Sequence, residues 1–385
     1  MVGGPKMASI SWRGMKPRPP SCVGTAEENP KDARVMRSLP LSLAAVLMLS
    51  ACNSGENSGG GQGAVKPADP FAFVSASKDG NAGQADNPVL RAQVALDRLG
   101  FSSGVIDGRE GASYELALRG FQEARGLPVS GRLDPATQQA LGNEPGTRRV
   151  VIPAAFARGP FVPDLPKDMA GQAKFDHLGY RRLSEALAER FHTTPEVLLA
   201  LNGPGTVLGA GREIRVPDIA DTPLAQLADD KTGWAKTLQS LAVSADQPKA
   251  DHIIVDKSDG ALRAYDAGGK LIAQFPVTTG SGHDPLPLGT WKIVGEARNP
   301  DYHFNPDLFW DAKKNAKDKL LPPGPNGPVG VVWLDLSKAH YGIHGTPEPQ
   351  NIGKTESHGC VRLANWDAAR LAQMVSAGTK VVFQA

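Results

Sequence analysis

The hydrophobic period changes at Asp251, and that change constrains the fold more than any other feature of the chain. Beyond it, apolar and polar side chains alternate in His252-Ile253-Ile254-Val255-Asp256, in Ala261-Leu262-Arg263-Ala264-Tyr265 and from Lys270 to Thr278. Alternation of this kind belongs to strands that bury one face. Ser258-Asp259-Gly260 and Gly268-Gly269 supply turns between them, so the three predict a β-meander. Thr290–Val294 reads as another strand, Val329–Leu334 and His340–His344 resume the sheet, and Thr379–Phe383 ends it. One helix is expected among these strands, from Trp366 to about Ala377, capped by Asn365 and closed by Gly378. Residues 299–328 carry Pro300, Pro306, Pro322, Pro323, Pro325 and Pro328 without a period, which predicts a loop-rich lid.

Before Asp251 the period is helical. In residues 87–142, Val94, Leu96 and Leu99 precede a stop at Gly100. Tyr114, Leu116, Leu118 and Phe121 precede a stop at Gly126, and Asp134 with Pro135 opens a third helix. Residues 143–170 are Pro-rich and read as a linker. In 171–218, Leu183, Ala186, Leu187 and Phe191 share one helical face, Thr194-Pro195 begins a second helix, and Gly211–Pro217 ends as a short strand. A chain of 385 residues with this change of period is multidomain: small α-helical and α/β modules, then a mostly β domain over 250–385 with one helix.

The first 52 residues read as a leader. Met36-Arg37-Ser38 precedes an apolar run, Leu39 to Leu49, too short to span a bilayer. Leu49-Ser50-Ala51-Cys52 resembles a bacterial lipobox, which implies lipidation of Cys52 and membrane attachment. Residues 53–86 would be the flexible tether. With Lys+Arg 42 against Asp+Glu 40, no strongly basic face for nucleic acid is expected.

Only Cys22, Cys52 and Cys360 occur, so the β domain holds one cysteine and can form no disulfide within itself. In an exported protein an unpaired thiol calls for a reason, and reactivity is one. Thiolate is the nucleophile, so an imidazole nearby serves it. His344-Gly345-Thr346 and Ser357-His358-Gly359-Cys360-Val361-Arg362 bring two histidines, a thiol and an arginine into nineteen positions. Gly359 uncovers backbone N–H groups that can hold an oxyanion, and the Arg362 fork suits a carboxylate. His344, His358 and Cys360 are also zinc-ligand types. A structural site wants a fourth ligand, and no second cysteine exists in the domain, so no metal or cofactor is assigned. Trp310, Trp333 and Tyr341 line the cleft or fill the core. His252, His283, His303 and His340 stand apart from it.

This run resembles the signature of the L,D-transpeptidase (YkuD-type) family. The resemblance implies Cys360 as acyl-accepting nucleophile, His344 as proton acceptor and donor, and Ser357, His358, Gly359 and Gly345 as oxyanion or supporting residues. It also implies Arg362 as the contact for the peptide carboxylate. Gly345 offers only its carbonyl for orienting the imidazole. Val105-Ile106-Asp107-Gly108, Phe121-Gln122, Gly126-Leu127-Pro128-Val129 and Asp134-Pro135-Ala136-Thr137 resemble the three-helix peptidoglycan-binding module. Residues 171–218 resemble a LysM module, although its usual opening Gly-Asp-Thr-Leu is absent. The function implied is a periplasmic, lipid-anchored enzyme that cross-links peptidoglycan stem peptides while its modules hold glycan strands. An L,D-carboxypeptidase, an enzyme attaching protein to peptidoglycan, and a non-catalytic wall-binding scaffold are the alternatives.

Overall fold

Local capping sets the N-terminal helices. In the computed structural model, which describes residues 69–76, 87–223, 232–310 and 315–385, helix α1 (Pro88–Arg98) begins where the Asn87 side chain accepts the Val89 and Leu90 N–H groups. Helix α2 (Ala112–Arg125) stops at Gly126, whose φ of 65° is left-handed, and α3 (Pro135–Leu141) starts with Asp134 capping Thr137 at 2.9 Å. All three agree with the sequence expectation. The expected leader and Cys52 lie outside the described residues.

Three expectations need correction. Residues 143–170 are not a linker. They form β1 (Thr147–Val151), α4 (Ala154–Ala157) and the start of α5 (Met169–Gln172). Helices α6 (Leu183–Arg190) and α7 (Pro195–Asn202) follow, then β2 (Glu213–Pro217), which pairs antiparallel with β1 so that Val150 faces Ile214. The boundary at 171 therefore cuts off the partner of β2. The tether expected over 53–86 is also wrong for residues 69–76: Phe73 is buried edge-on between Phe156 and Phe191, and Ser75 bridges Val150. One buried aromatic outweighs the Gly- and Ser-rich composition around it.

After α8 (Trp234–Ser240) come β3 (His252–Asp256), β4 (Ala261–Tyr265), β5 (Leu271–Pro276), β6 (Gly289–Arg298), β7 (Tyr302–Phe304), β8 (Lys319–Leu321) and β9 (Val332–Leu336). Then follow β10 (Gly342–His344), β11 (Val361–Arg362), α9 (Asn365–Met374) and β12 (Lys380–Gln384). The meander β3–β4–β5 forms as expected. It is one side of an eight-stranded sheet ordered β11-β10-β9-β6-β12-β3-β4-β5, parallel only at β10/β11 and β12/β3. Helix α9 is buried along its whole length and shares a core with Ile253, Val255, Phe275 and Ile343. It begins at Asn365, with Ala364 rather than Asn365 at the cap position, and ends at Met374, before Gly378. The lid region is less irregular than its prolines predict, because β7 and β8 pair in an antiparallel ribbon.

The N-terminal helices are docked on this domain. Gln274 on β5, wholly buried, donates to the Leu116 carbonyl at 2.6 Å and exchanges backbone bonds with Gly100 and Ser102. A second junction meets α9: Asp97 of α1 receives Arg370 at 3.1 Å and His192 at 3.1 Å, and the Ser102 hydroxyl donates to Asp367 at 2.8 Å.

Candidate active site

Strand pairing brings the two halves of the sequence motif together. His344 is the last residue of β10, and its Cα partners are Arg362 on β11 and Trp333 on β9. Cys360 sits immediately before β11, so thiol, imidazole and guanidinium converge at one end of three adjacent strands. They line a cavity of about 350 Å³ with His358, Tyr302, Phe304, Phe309, Trp333, His340 and Tyr341. Trp310 is not among its walls. It is 63% exposed and donates from Nε1 to Asp284.

The Ser357–Cys360 turn is built to present the sulfur. Ser357 Oγ donates to the Cys360 carbonyl at 2.6 Å and accepts the Gly359 N–H at 3.2 Å. Its backbone is tied to Thr279 and Ser281. Gly359 has φ +101°, and a Cβ there would lie 2.6 Å from Tyr341 Cε1, so only glycine fits. Ser357, Gly359 and Gly345 thus stand behind the cavity wall, while Cys360, His344, His358 and Arg362 face it. His358 meets the Phe309 ring edge-on at 5.1 Å.

His344 is buried and stacks on Trp333 at 5.5 Å between ring centroids. Its Nδ1 donates to the Gly345 carbonyl at 2.7 Å. The carbonyl is therefore the orienting partner, and it selects the tautomer whose Nε2 lone pair is free to take a proton. Burial pulls the imidazole down to about 3, the Arg362 charge adds to the fall, and the Gly345 carbonyl opposes it. Burial pushes the Cys360 thiol above its ordinary value. The Gly342 N–H and Arg362 pull it back without cancelling that rise, and Asp335 adds to it. At neutral pH the pair therefore rests as thiol and neutral imidazole rather than as an ion pair. The thiol's own hydrogen bond goes to the His340 carbonyl at 4.0 Å.

Residues 250–383 match the L,D-transpeptidase catalytic domain (YkuD), and residues 85–141 match the "Putative peptidoglycan binding domain". Over 199 residues the chain is 30% identical to the "Putative L,D-transpeptidase YkuD" of Bacillus licheniformis, an alignment covering 51% of this chain and 90% of that protein. The chain belongs to the L,D-transpeptidase (YkuD) family. It is also 30% identical over 135 residues to the "Probable L,D-transpeptidase YbiS" of Escherichia coli K12, covering 34% of this chain and 44% of that protein. Among solved structures it is similar to an L,D-transpeptidase from Xylanimonas cellulosilytica, at 16% identity and TM-score 0.32 over 80% of this chain and 99% of that one. It is also similar to one from Mycobacterium smegmatis, at 20% identity and TM-score 0.29 over 34% and 58%.

An L,D-transpeptidase catalytic domain joined to a peptidoglycan-binding domain makes this a cell-wall enzyme, and so an extracytoplasmic one. Two features of the L,D-transpeptidase site escape its motif. His340, set aside in sequence for lack of company, lines the cavity and supplies the carbonyl beside the thiol. Tyr302 enters from β7, in the stretch whose prolines hide its strand character.

Proposed function

We propose that the enzyme forms peptidoglycan cross-links through a Cys360 thioester. The observation that carries this reading is the shared cavity of Cys360, His344 and Arg362, in which the Arg362 guanidinium has no carboxylate partner among the described residues. A half-buried guanidinium with no carboxylate partner, beside a nucleophile, favours a substrate that brings its own carboxylate. A tetrapeptide donor stem ending in a D-amino acid brings one. His344 Nε2 takes the Cys360 proton as sulfur attacks the carbonyl between the L-centre of a diaminopimelate-type residue and the terminal D-residue. The backbone N–H of Cys360, for which the described residues offer no acceptor, is placed to hold the oxyanion; the Gly359 N–H is already committed to Ser357. The C–N bond breaks, and His344 returns the proton to the departing amine. An amine from a second stem then loses its proton to His344, attacks the thioester and releases the thiol.

Residues 87–142 would hold the wall near this centre. Helices α6 and α7 with strand β2 would add a LysM-like contact with glycan, and a lipid on Cys52 would keep the protein at a membrane. The catalytic portion is 250–385. Incubation with purified tetrapeptide-containing wall fragments tests the reaction: the native chain yields cross-linked dimers and free D-amino acid, and Cys360→Ala yields neither. Trimmed tripeptides without dimers would make water the acceptor and the enzyme an L,D-carboxypeptidase. Products that appear only with an added protein amine would indicate attachment of protein to the wall. An inactive native chain that still sediments with sacculi would leave a scaffold.

A further inference from the structure

The peptide that orients His344 is backed by Asn365, which is itself held by a residue outside the catalytic domain. A Cβ on Gly345 would stand 2.4 Å from Asn365 Oδ1, and one on Gly330 would stand 2.0 Å from the same oxygen. The two glycines therefore let the Asn365 amide lie against the backbone whose carbonyl accepts His344 Nδ1–H. Asn365 Oδ1 accepts the Val331 N–H at 3.3 Å. Its Nδ2 donates to Pro325 O at 3.1 Å and to both oxygens of Glu189, at 2.9 and 3.2 Å. Glu189 lies on α6, 176 positions earlier in the chain, is buried, and also accepts the Tyr180 hydroxyl at 2.9 Å.

A buried amide can sit in two orientations, and its neighbours decide which. The Glu189 carboxyl and the Pro325 carbonyl together require Nδ2 on their side, which leaves Oδ1 for Val331 and the two glycines. A flipped amide would set Nδ2 against the Val331 N–H, donor to donor. An apolar side chain would fill the same volume without a desolvation cost, so the carboxyl is there for its two donors, the Tyr180 hydroxyl and the Asn365 amide.

We propose that Glu189 is a positioning residue for His344: it fixes the Asn365 amide, the amide fixes the Gly345 peptide, and the peptide fixes the imidazole tautomer and plane. The region between the peptidoglycan-binding domain and the catalytic domain is thereby part of the catalytic apparatus and not only a connection. The inference rests on His344 being the proton acceptor described under the proposed function.

Full-length Glu189→Leu, assayed on tetrapeptide wall fragments, should lose about 10- to 100-fold in kcat at unchanged KM, the size usual for partners one step behind a reacting group. Burial pushes the Glu189 carboxyl up to about 8, so glutamine is its closest mimic at neutral pH. Glu189→Gln keeps an acceptor for Asn365 and should restore kcat to within about threefold. Nitrogen NMR of labelled histidine should show the His344 Nδ1–H tautomer fall in the leucine variant and return in the glutamine variant. If Glu189→Leu does not fold, Asn365→Ala carries the test, with the same loss of kcat. Native kcat and tautomer in a folded Glu189→Leu or Asn365→Ala enzyme overturn the proposal. A His344→Gln enzyme that turns over at the native rate overturns the underlying reading instead; an inactive His344→Gln enzyme beside a fully active Glu189→Leu enzyme overturns this inference alone.

Discussion

Replacing Arg370 by methionine should unfold the molecule more easily by about 3–5 kcal/mol, the usual penalty when one member of a buried ion pair is removed. Arg370 is on α9 and reaches Asp97 of α1 at 3.1 Å, with only 8% and 2% of the two side chains exposed. Burial alone would raise the Asp97 carboxyl. Arg370 and then His192 outweigh that and hold it well below the ordinary carboxylate range. Without Arg370 the ionised carboxylate keeps only His192, whose other nitrogen is committed to the Leu241 carbonyl at 2.8 Å. An ordinary neutral hydrogen bond would be worth about 1 kcal/mol, so the size of the loss separates the two accounts. Urea unfolding of the full chain at pH 7, followed by tryptophan fluorescence, reads it directly, because Trp366 stacks on His192 at 5.1 Å beside this cluster. Adding Asp97→Asn to Arg370→Met should recover part of the loss, since the Asp97 charge is then no longer stranded and only Asp367, which Arg370 also steadies, keeps its deficit. A single-variant loss under about 1 kcal/mol, or a double variant no better than the single, would refute the reasoning.

Two further outcomes follow from the site. With His344 drawn down to about 3 by burial, kcat/KM should show no acid limb from this residue between pH 5 and 7. The same depressed value means that stability from this group is intact above pH 6.5 and falls as pH drops towards 3. A limb near 6.5 in the rate profile, matched by a His344 ring that titrates at the same pH in nitrogen NMR, would contradict the neutral resting pair. Gly359→Ala must place a methyl 2.6 Å from Tyr341 Cε1 at φ +101°, so acylation of Cys360 should slow about 100-fold. Single-turnover acylation by a carbapenem, followed by intact mass, measures it, and a native rate would mean that the turn yields without moving the sulfur.

How much of this was legible in the sequence depended on how local the cause was. Strands β3 and β4 match their expected bounds because period and turn residues both act within a few positions. The cap at Asp134 is equally local, since a side chain three positions from its target decides it. Strand β11 is two residues long and exists only because β10 lies beside it, so no window of sequence carries its period. Strand β1 contains Arg148 and Arg149, which hide its alternation. Their partners Asp218, Asp221 and Glu213 lie more than sixty positions away.

The same distinction explains why the motif marked the proposed reacting groups but not their proposed supports. Cys360, His344 and Arg362 are chemically unusual in any context, and His-Gly, Ser-His-Gly-Cys and the following arginine announce them together. Glu189 and Asn365 are common residue types on ordinary helices, and only tertiary packing gives them a direction. Gly345 belongs to both classes. In the sequence it looks like the loss of an orienting side chain; in the fold its missing Cβ is the space that Asn365 Oδ1 occupies, and its carbonyl does the orienting. On the proposed reading the Gly345 carbonyl orients the imidazole and a series of contacts that begins on α6 supports that carbonyl from behind, so substitutions on α6 can change the chemistry of a thiol they never touch.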